Sequence, residues 1–345
     1  MKIETTKLQN DWKQFNLIND NGMSIRLLNY GGIITQIITP DKDGTFENIV
    51  LGYKNYKDYE TDPNFFGALI GRVAGRIQEA NFEIDGKKHE LEANDGANHL
   101  HGGSNGLHRV IWDTEPFQEN DTIGVKLSHS SSDGEGGYPG NIKVSVTYML
   151  NNKNELILQY SGTTDKTTPL TMTNHSYFNL SGNVKDTINN HHVIIDSKQF
   201  VELDDKLIPT GTITNAVNTP FDFRQGRKLN DGITTKAKQN KIAGNGYDHY
   251  FLFDHDRKES VVVKDTGNGR VLTIETDQPG MVMYTANNLG SGLELAEGPS
   301  KKHLGVCFET QGSPASLHHK GFPSVIVQPG EIYHQRTTFR FSVEY

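Results

Sequence analysis

Apolar and polar residues alternate with a period of two along much of this chain, and that pattern limits its possible folds more than any other feature. Successive side chains of a strand point to opposite faces, so such alternation marks a half-buried strand. Across residues 142–148, Ile142, Val144, Val146 and Tyr148 alternate with Lys143, Ser145 and Thr147. Leu156, Leu158 and Tyr160 repeat the pattern after a polar run at 151–154, which predicts an antiparallel hairpin. Val261 and Val263 precede Gly267-Asn268-Gly269, with Leu272 and Ile274 beyond, and predict a second hairpin. Phe82 and Ile84 lead into the turn signal Asp85-Gly86, and residues 337–345 alternate through Phe339, Phe341 and Val343. The run 107–112 also reads as strand. Helical signals are confined to 54–60 and 232–241. The 35 glycines suit many turns, and no repeat or Pro-rich linker divides the 345 residues. The expectation is an all-β fold, a large antiparallel β-sandwich forming one domain over 1–345.

Charge and cysteine content narrow the function. A net charge of −8 argues against a nucleic-acid surface, which needs clustered Lys and Arg. No apolar run approaches the roughly 20 residues of a membrane span. The N-terminal stretch MKIETTKLQNDWKQF lacks an apolar signal core, so the expected location is cytoplasmic. A single cysteine, Cys307, allows neither an internal disulfide nor a Cys-based zinc site, and a thiol on an apolar strand suits packing. Gly102-Gly103-Ser104-Asn105-Gly106 fits G-x-S-x-G but lacks the strand-to-helix setting of a nucleophile elbow. His99 and His101 form an H-x-H pair without the third ligand that zinc needs. The pairs His191-His192 and His318-His319 are expected at the surface. No P-loop or dinucleotide fingerprint is present.

Other stretches break the alternation with reactive residue types. GALIGRVAGRI at 67–77 carries two arginines among small residues. Such cations can fork onto paired oxygens, although this stretch alone favours a structural ion pair. NHLHGG at 98–103 places a double glycine beside His101. TMTNHSYFNLSG at 171–182 surrounds His175 with hydroxyls and aromatics, which suits a satisfied core residue or an acid/base group with a pKa near neutrality. GYDHYF at 246–251 sets Asp248 among aromatics, where a carboxylate needs partners or a ligand. In VCFETQG at 306–312, Val306 and Phe308 share one strand face, and Cys307, Glu309 and Gln311 share the other. Glu309 is either a base with a raised pKa or a solvated strand end. Polar side chains beside aromatics are what a sugar site needs.

Taken in order, GRVAGRI, HLHGG, DGEGGYPG at 133–140, NHSYFNLSG, GYDHYFLF and FETQ resemble the motifs of the aldose 1-epimerase (galactose mutarotase) family. The resemblance runs from about Tyr30-Gly31-Gly32 to the last strand. It implies the large β-sandwich of galactose-mutarotase type and an isomerase that interconverts the α and β anomers of free aldohexoses such as galactose and glucose. By matched motif it implies His175 as general acid and Glu309 as general base. Arg76, His101, Asp248 and Tyr284 are then sugar contacts. Some members have Asn where this chain has Gly75, and Gln where it has Val282, which bears on the preferred hexose.

The reaction takes a proton from the C1 hydroxyl and gives one to the ring oxygen. The ring opens to an aldehyde, rotates about C1–C2 and recloses. Glu309 as carboxylate and His175 as imidazolium suit that exchange, each group typically giving about 10²–10⁴-fold in rate. The expectation is therefore a hexose substrate, with no cofactor and no metal. A glycosidase usually needs two carboxylates instead. A non-catalytic sugar-binding or sensing protein on the same scaffold, or an enzyme acting on phosphohexoses or glycosides, is the alternative.

Overall fold

A computed structural model describes residues 1–345. Three antiparallel sheets dominate it. The first five strands, from Lys2–Lys7 to Phe46–Asn48, form a simple meander. A nine-stranded sheet is centred on Ile142–Asn151, Glu155–Thr164, Tyr333–Val343 and Arg270–Thr276. A six-stranded sheet runs in the order Tyr177–Phe178, Val306–Thr310, Gly280–Tyr284, Asp248–Leu252, Gln199–Leu203, Pro209–Asn215. The fold is thus mostly β and antiparallel, as the alternation predicts.

The predicted hairpins form in register. Tyr148 pairs with Leu158, Val261 with Ile274, and Phe82 with His89. In Ile142–Asn151 every second residue is buried, from Ile142 to Leu150. These side chains enter a core of 50 buried residues that draws on all three sheets. Each buried aliphatic side chain there contributes about 2 kcal/mol of transfer free energy.

Three local expectations are corrected. Residues 107–112 are not a strand, because Leu107–Arg109 form a 3₁₀ turn. The Leu107 N–H donates to Gly71 O and its carbonyl accepts from the Trp112 indole, so neither group is free for a ladder. The region 232–241 holds two single-turn helices, Asn230–Thr234 and Lys238–Ile242, broken by extended backbone at Thr235. His191 is buried, not superficial: its Nε2 accepts the Leu180 N–H at 2.8 Å. No helix is long and apolar enough to cross a membrane.

Candidate active site

The six-stranded sheet supplies one wall of a pocket. Its register sets Glu309 opposite Val282, and Val282 opposite Tyr250. One step along, Cys307 faces Tyr284, and Tyr284 faces Asp248. Directly opposed residues share a sheet face. The intervening residues Val306, Phe308, Met281, Met283 and Phe251 point the other way, into the main core. The two-faced reading of 306–311 therefore holds.

Short pairings bring up the opposite wall. Thr173–Asn174 pairs with Leu69–Ile70. His175 continues that contact: its N–H donates to Ala68 O at 2.9 Å and its carbonyl accepts from Gly67 N–H at 3.0 Å. Asn174 donates to Gly67 O and accepts from the Ser176 N–H and hydroxyl. These polar neighbours of His175 thus brace its backbone. Arg76–Ile77 pairs with His99–Leu100, which delivers Arg76 and His101 together. His101 sits at φ 53°, and the chain then turns away through Gly102 at φ 84°. A Cβ on Gly102 would lie 2.0 Å from Gly71 O, so only glycine fits.

The two walls enclose a cavity of about 390 Å³, and all six residues singled out in the sequence line it: Arg76, His101, His175, Asp248, Tyr284 and Glu309. His175 Nε2 lies 3.5 Å from Glu309 Oε1, with both side chains nearly inaccessible. Behind the imidazole, Cys307 Sγ is 3.5 Å from His175 Nδ1. The thiol is buried and packs against the histidine from the sheet side. Arg76 Nε is 2.7 Å from Asp95 Oδ2, and its Nη1 is 3.7 Å from Asp248 Oδ2. The Tyr284 hydroxyl accepts the Asn288 N–H at 3.1 Å.

Burial dominates the electrostatics. It lowers His175 to about 4 and raises Glu309 well above the ordinary carboxylate range. The charge of Asp248 raises Glu309 further, while Arg76 opposes the rise. Burial also lifts Asp248 to about 6, against the pull of Arg76. Imidazolium with carboxylate and imidazole with carboxylic acid carry the same number of protons. Burial favours the neutral arrangement, and the charged one is reached by a proton shift without uptake from solvent.

His101 is also held neutral by burial, with His175 adding to the effect. Its Nδ1 accepts the Gly75 N–H at 3.1 Å, so the neutral ring carries its proton on Nε2. His101, His175 and Glu309 offer potential metal-ligand atoms within 4.8 Å of one another. In this tautomer, however, His101 has no free ring lone pair to give a metal, and it acts as a hydrogen-bond donor. Gly75 thus has a backbone role, and a Cβ there would meet Pro314 at 3.0 Å.

Several lining residues were not legible in the sequence. Asp95 lies in a polar loop without a distinguishing pattern. Phe65 sits in the left-handed region at φ 58° and packs edge-on against His101, with ring centroids 4.8 Å apart. Tyr177, Tyr250 and Gln311 also line the cavity. Their signal was strand phase: each shares a face with Cys307 or Glu309. Arg72, the other arginine of 67–77, is absent from the pocket. It is buried and donates to Ser131 Oγ, Ser132 O, Pro139 O and Gly140 O, bracing the DGEGGYPG loop. The ion pair expected of that stretch is made by Arg76 with Asp95, whereas Arg72 holds its loop through a hydroxyl and carbonyls and has no carboxylate partner.

The family model described as Aldose 1-epimerase matches residues 13–340. A galactose mutarotase from Sus scrofa is 38% identical over 334 residues, covering 96% of this chain and 94% of that protein. An aldose 1-epimerase from Escherichia coli (strain K12) is 31% identical over the full length of both. The crystal structure of a galactose 1-epimerase from Lactobacillus acidophilus NCFM superposes with a TM-score of 0.89 at 27% identity, covering all of both chains. A galactose mutarotase-like protein from Clostridium acetobutylicum shares the fold at a TM-score of 0.74 and 15% identity. With sequence and fold in agreement over its whole length, the chain belongs to the aldose 1-epimerase family and is an isomerase of that activity.

Proposed function

We propose that this pocket interconverts the α and β anomers of free aldohexoses, with galactose and glucose the first candidates, and that Glu309 and His175 are its proton-transfer pair. The observation that carries this reading is the convergence of a buried acid and a buried base, His175 Nε2 and Glu309 Oε1, 3.5 Å apart on the wall of a 390 Å³ cavity.

Glu309 takes the proton of the C1 hydroxyl while His175 protonates the ring oxygen, and the C1–O5 bond breaks. The pair is then left as carboxylic acid and neutral imidazole, the arrangement that burial favours. Ring opening is thereby helped by the same desolvation that makes the imidazolium a strong acid. The aldehyde rotates about C1–C2, and reclosure returns both protons. Val282, opposite the base, keeps that wall apolar. The Nε2–H of His101 supplies a neutral donor beside the pair. Arg76 and Asp248 offer a fork of donors and an acceptor to the hydroxyls. Phe65 and Tyr284 give apolar ring faces against which C–H groups of a sugar pack.

The lining charges oppose a phosphorylated hexose. Arg76 is the sole Lys or Arg of the lining, set against Asp95, Asp248 and Glu309. A phosphate there would meet carboxylates without compensating cations. Polarimetry of freshly dissolved α-D-galactose and α-D-glucose tests the proposal. Faster decay to the same equilibrium rotation is expected, and no acceleration with either sugar would overturn it.

A further inference from the structure

We propose that Asp95 is a positioning residue of this pocket: by taking Arg76 Nε at 2.7 Å, it aims the remaining guanidinium donors at the bound sugar. The inference rests on the reading of the cavity as an aldose site.

Arg76 is 20% exposed and spans two carboxylates. Asp95 takes Nε. Nη1 stands 3.7 Å from Asp248 Oδ2, beyond a good hydrogen bond, and Nη2 has no protein partner. A guanidinium fixed at Nε presents its two terminal nitrogens as a pre-set fork, the geometry that paired hydroxyl oxygens accept. Without that anchor the side chain has the rotamer freedom of a long cation and the closer company of Asp248. An Nη1–Asp248 pair drawn together would consume the donor and the acceptor that the sugar needs.

The loop bearing Asp95 is built to hold it still. Asn94 Oδ1 accepts the Leu100 N–H at 2.8 Å, and its Nδ2 donates to Leu100 O at 3.0 Å. Asp95 and Asn98 exchange both backbone hydrogen bonds at 3.0 Å. Asn98 Oδ1 accepts the Glu79 N–H. The loop is thus tied to the strand His99–Leu100, which pairs with Arg76–Ile77 itself. Asp95 is 37% exposed, so its ion pair adds little to folding stability, as such half-solvated pairs do. What it supplies is orientation, and sugar affinity should sense it more than proton transfer does.

The test compares wild type with Asp95→Asn, Asp95→Glu, Arg76→Lys and the double variant Asp95→Asn/Arg76→Lys. Turnover is followed by polarimetry and D-galactose binding by calorimetry. Asp95→Asn should raise KM and Kd about tenfold, the scale of one lost charge-assisted contact, with kcat changed less than about threefold. Asp95→Glu should restore part of the affinity. At pH 8, where Asp248 is ionised, the double variant should bind no worse than Arg76→Lys alone, because there Asp95 reaches the sugar only through that guanidinium. Asp95 also raises the pKa of Asp248. In Asp95→Asn the acidic limb of the KM profile should therefore move to lower pH. Unchanged KM and Kd in Asp95→Asn, or additive losses in the double variant, overturn the inference. Absence of turnover in wild type defeats the anomerase reading instead, and the calorimetric arm then decides the role of Asp95 by itself.

Discussion

Replacing Glu309 by glutamine should separate what this carboxyl group does for chemistry from what it costs the fold. The side chain is 4% exposed, and its nearest charged partner is His175 at 3.5 Å. Burial, reinforced by Asp248, holds its pKa well above 4.5. Above pH 4.5 the unfolded chain has released this proton while the folded protein still holds it. The contribution of this group to wild-type stability therefore falls as pH rises through that window, by roughly 1.4 kcal/mol per pH unit, and levels off once the buried group ionises. Glutamine does not titrate. Glu309→Gln should thus gain on wild type as pH rises from 4.5, at about 1.4 kcal/mol per pH unit until the buried group ionises. For a chain this long each kcal/mol amounts to about 1.5 °C in melting temperature. Turnover should meanwhile drop by about 10²–10⁴-fold, the usual worth of a general base. Calorimetric melts of both proteins from pH 5 to 8, with polarimetry at each pH, provide the assay. A melting difference that stays flat with pH would refute the raised pKa. Wild-type turnover in the variant would refute the assignment of the base.

Three further outcomes follow from the same geometry. The pair works with one shared proton, so kcat should be bell-shaped in pH. Its acid limb should lie near 4, where His175 and Glu309 together take up a second proton, and its alkaline limb is set by the raised Glu309; a flat stopped-flow profile over both limbs would count against it. Gly102→Ala forces a Cβ to within 2.0 Å of Gly71 O at φ 84°. Urea unfolding should show a loss of about 2 kcal/mol or more, with weakened turnover from a displaced His101. Arg72→Met removes the donors that hold Ser131, Ser132, Pro139 and Gly140, and should cost about 3 kcal/mol of stability. Its KM should change little in the molecules that remain folded, in contrast to Arg76→Ala.

The sequence revealed those parts of the molecule that repeat locally. Strands such as Ile142–Asn151 were legible because one face meets the core and the other meets solvent. Residues 306–311 showed their two faces because apolar side chains meet the core on one and polar side chains meet the pocket on the other, although both are buried. The run 107–112 was misread because buried apolar residues look alike in a strand and in a 3₁₀ turn, and the partners that decide between them, Gly71 and the Trp112 indole, lie outside any short pattern. The six site residues came from the order of family motifs, since no spacing along the chain announces that Arg76, His175 and Glu309 meet. Asp95 and Phe65 escaped notice because their roles depend on a contact and on a left-handed backbone, neither of which leaves a periodic trace. The likeness of Arg72 and Arg76, four residues apart in one motif, concealed a division of labour that only burial and partners disclose.

The strand Val306–Thr310 has its two sides committed to different tasks, and this makes the catalytic centre intolerant of length change. A single inserted or deleted residue there would exchange neighbours across the sheet, turning Phe308 towards the cavity and Glu309 towards the apolar interior. One such event would remove the base and bury an unpaired carboxyl group in the same stroke. Substitutions can be sampled one face at a time, whereas insertions and deletions cannot. Variation in length should therefore gather in the loops around the pocket rim, where sugar preference can change without disturbing the phase of the sheet beneath it.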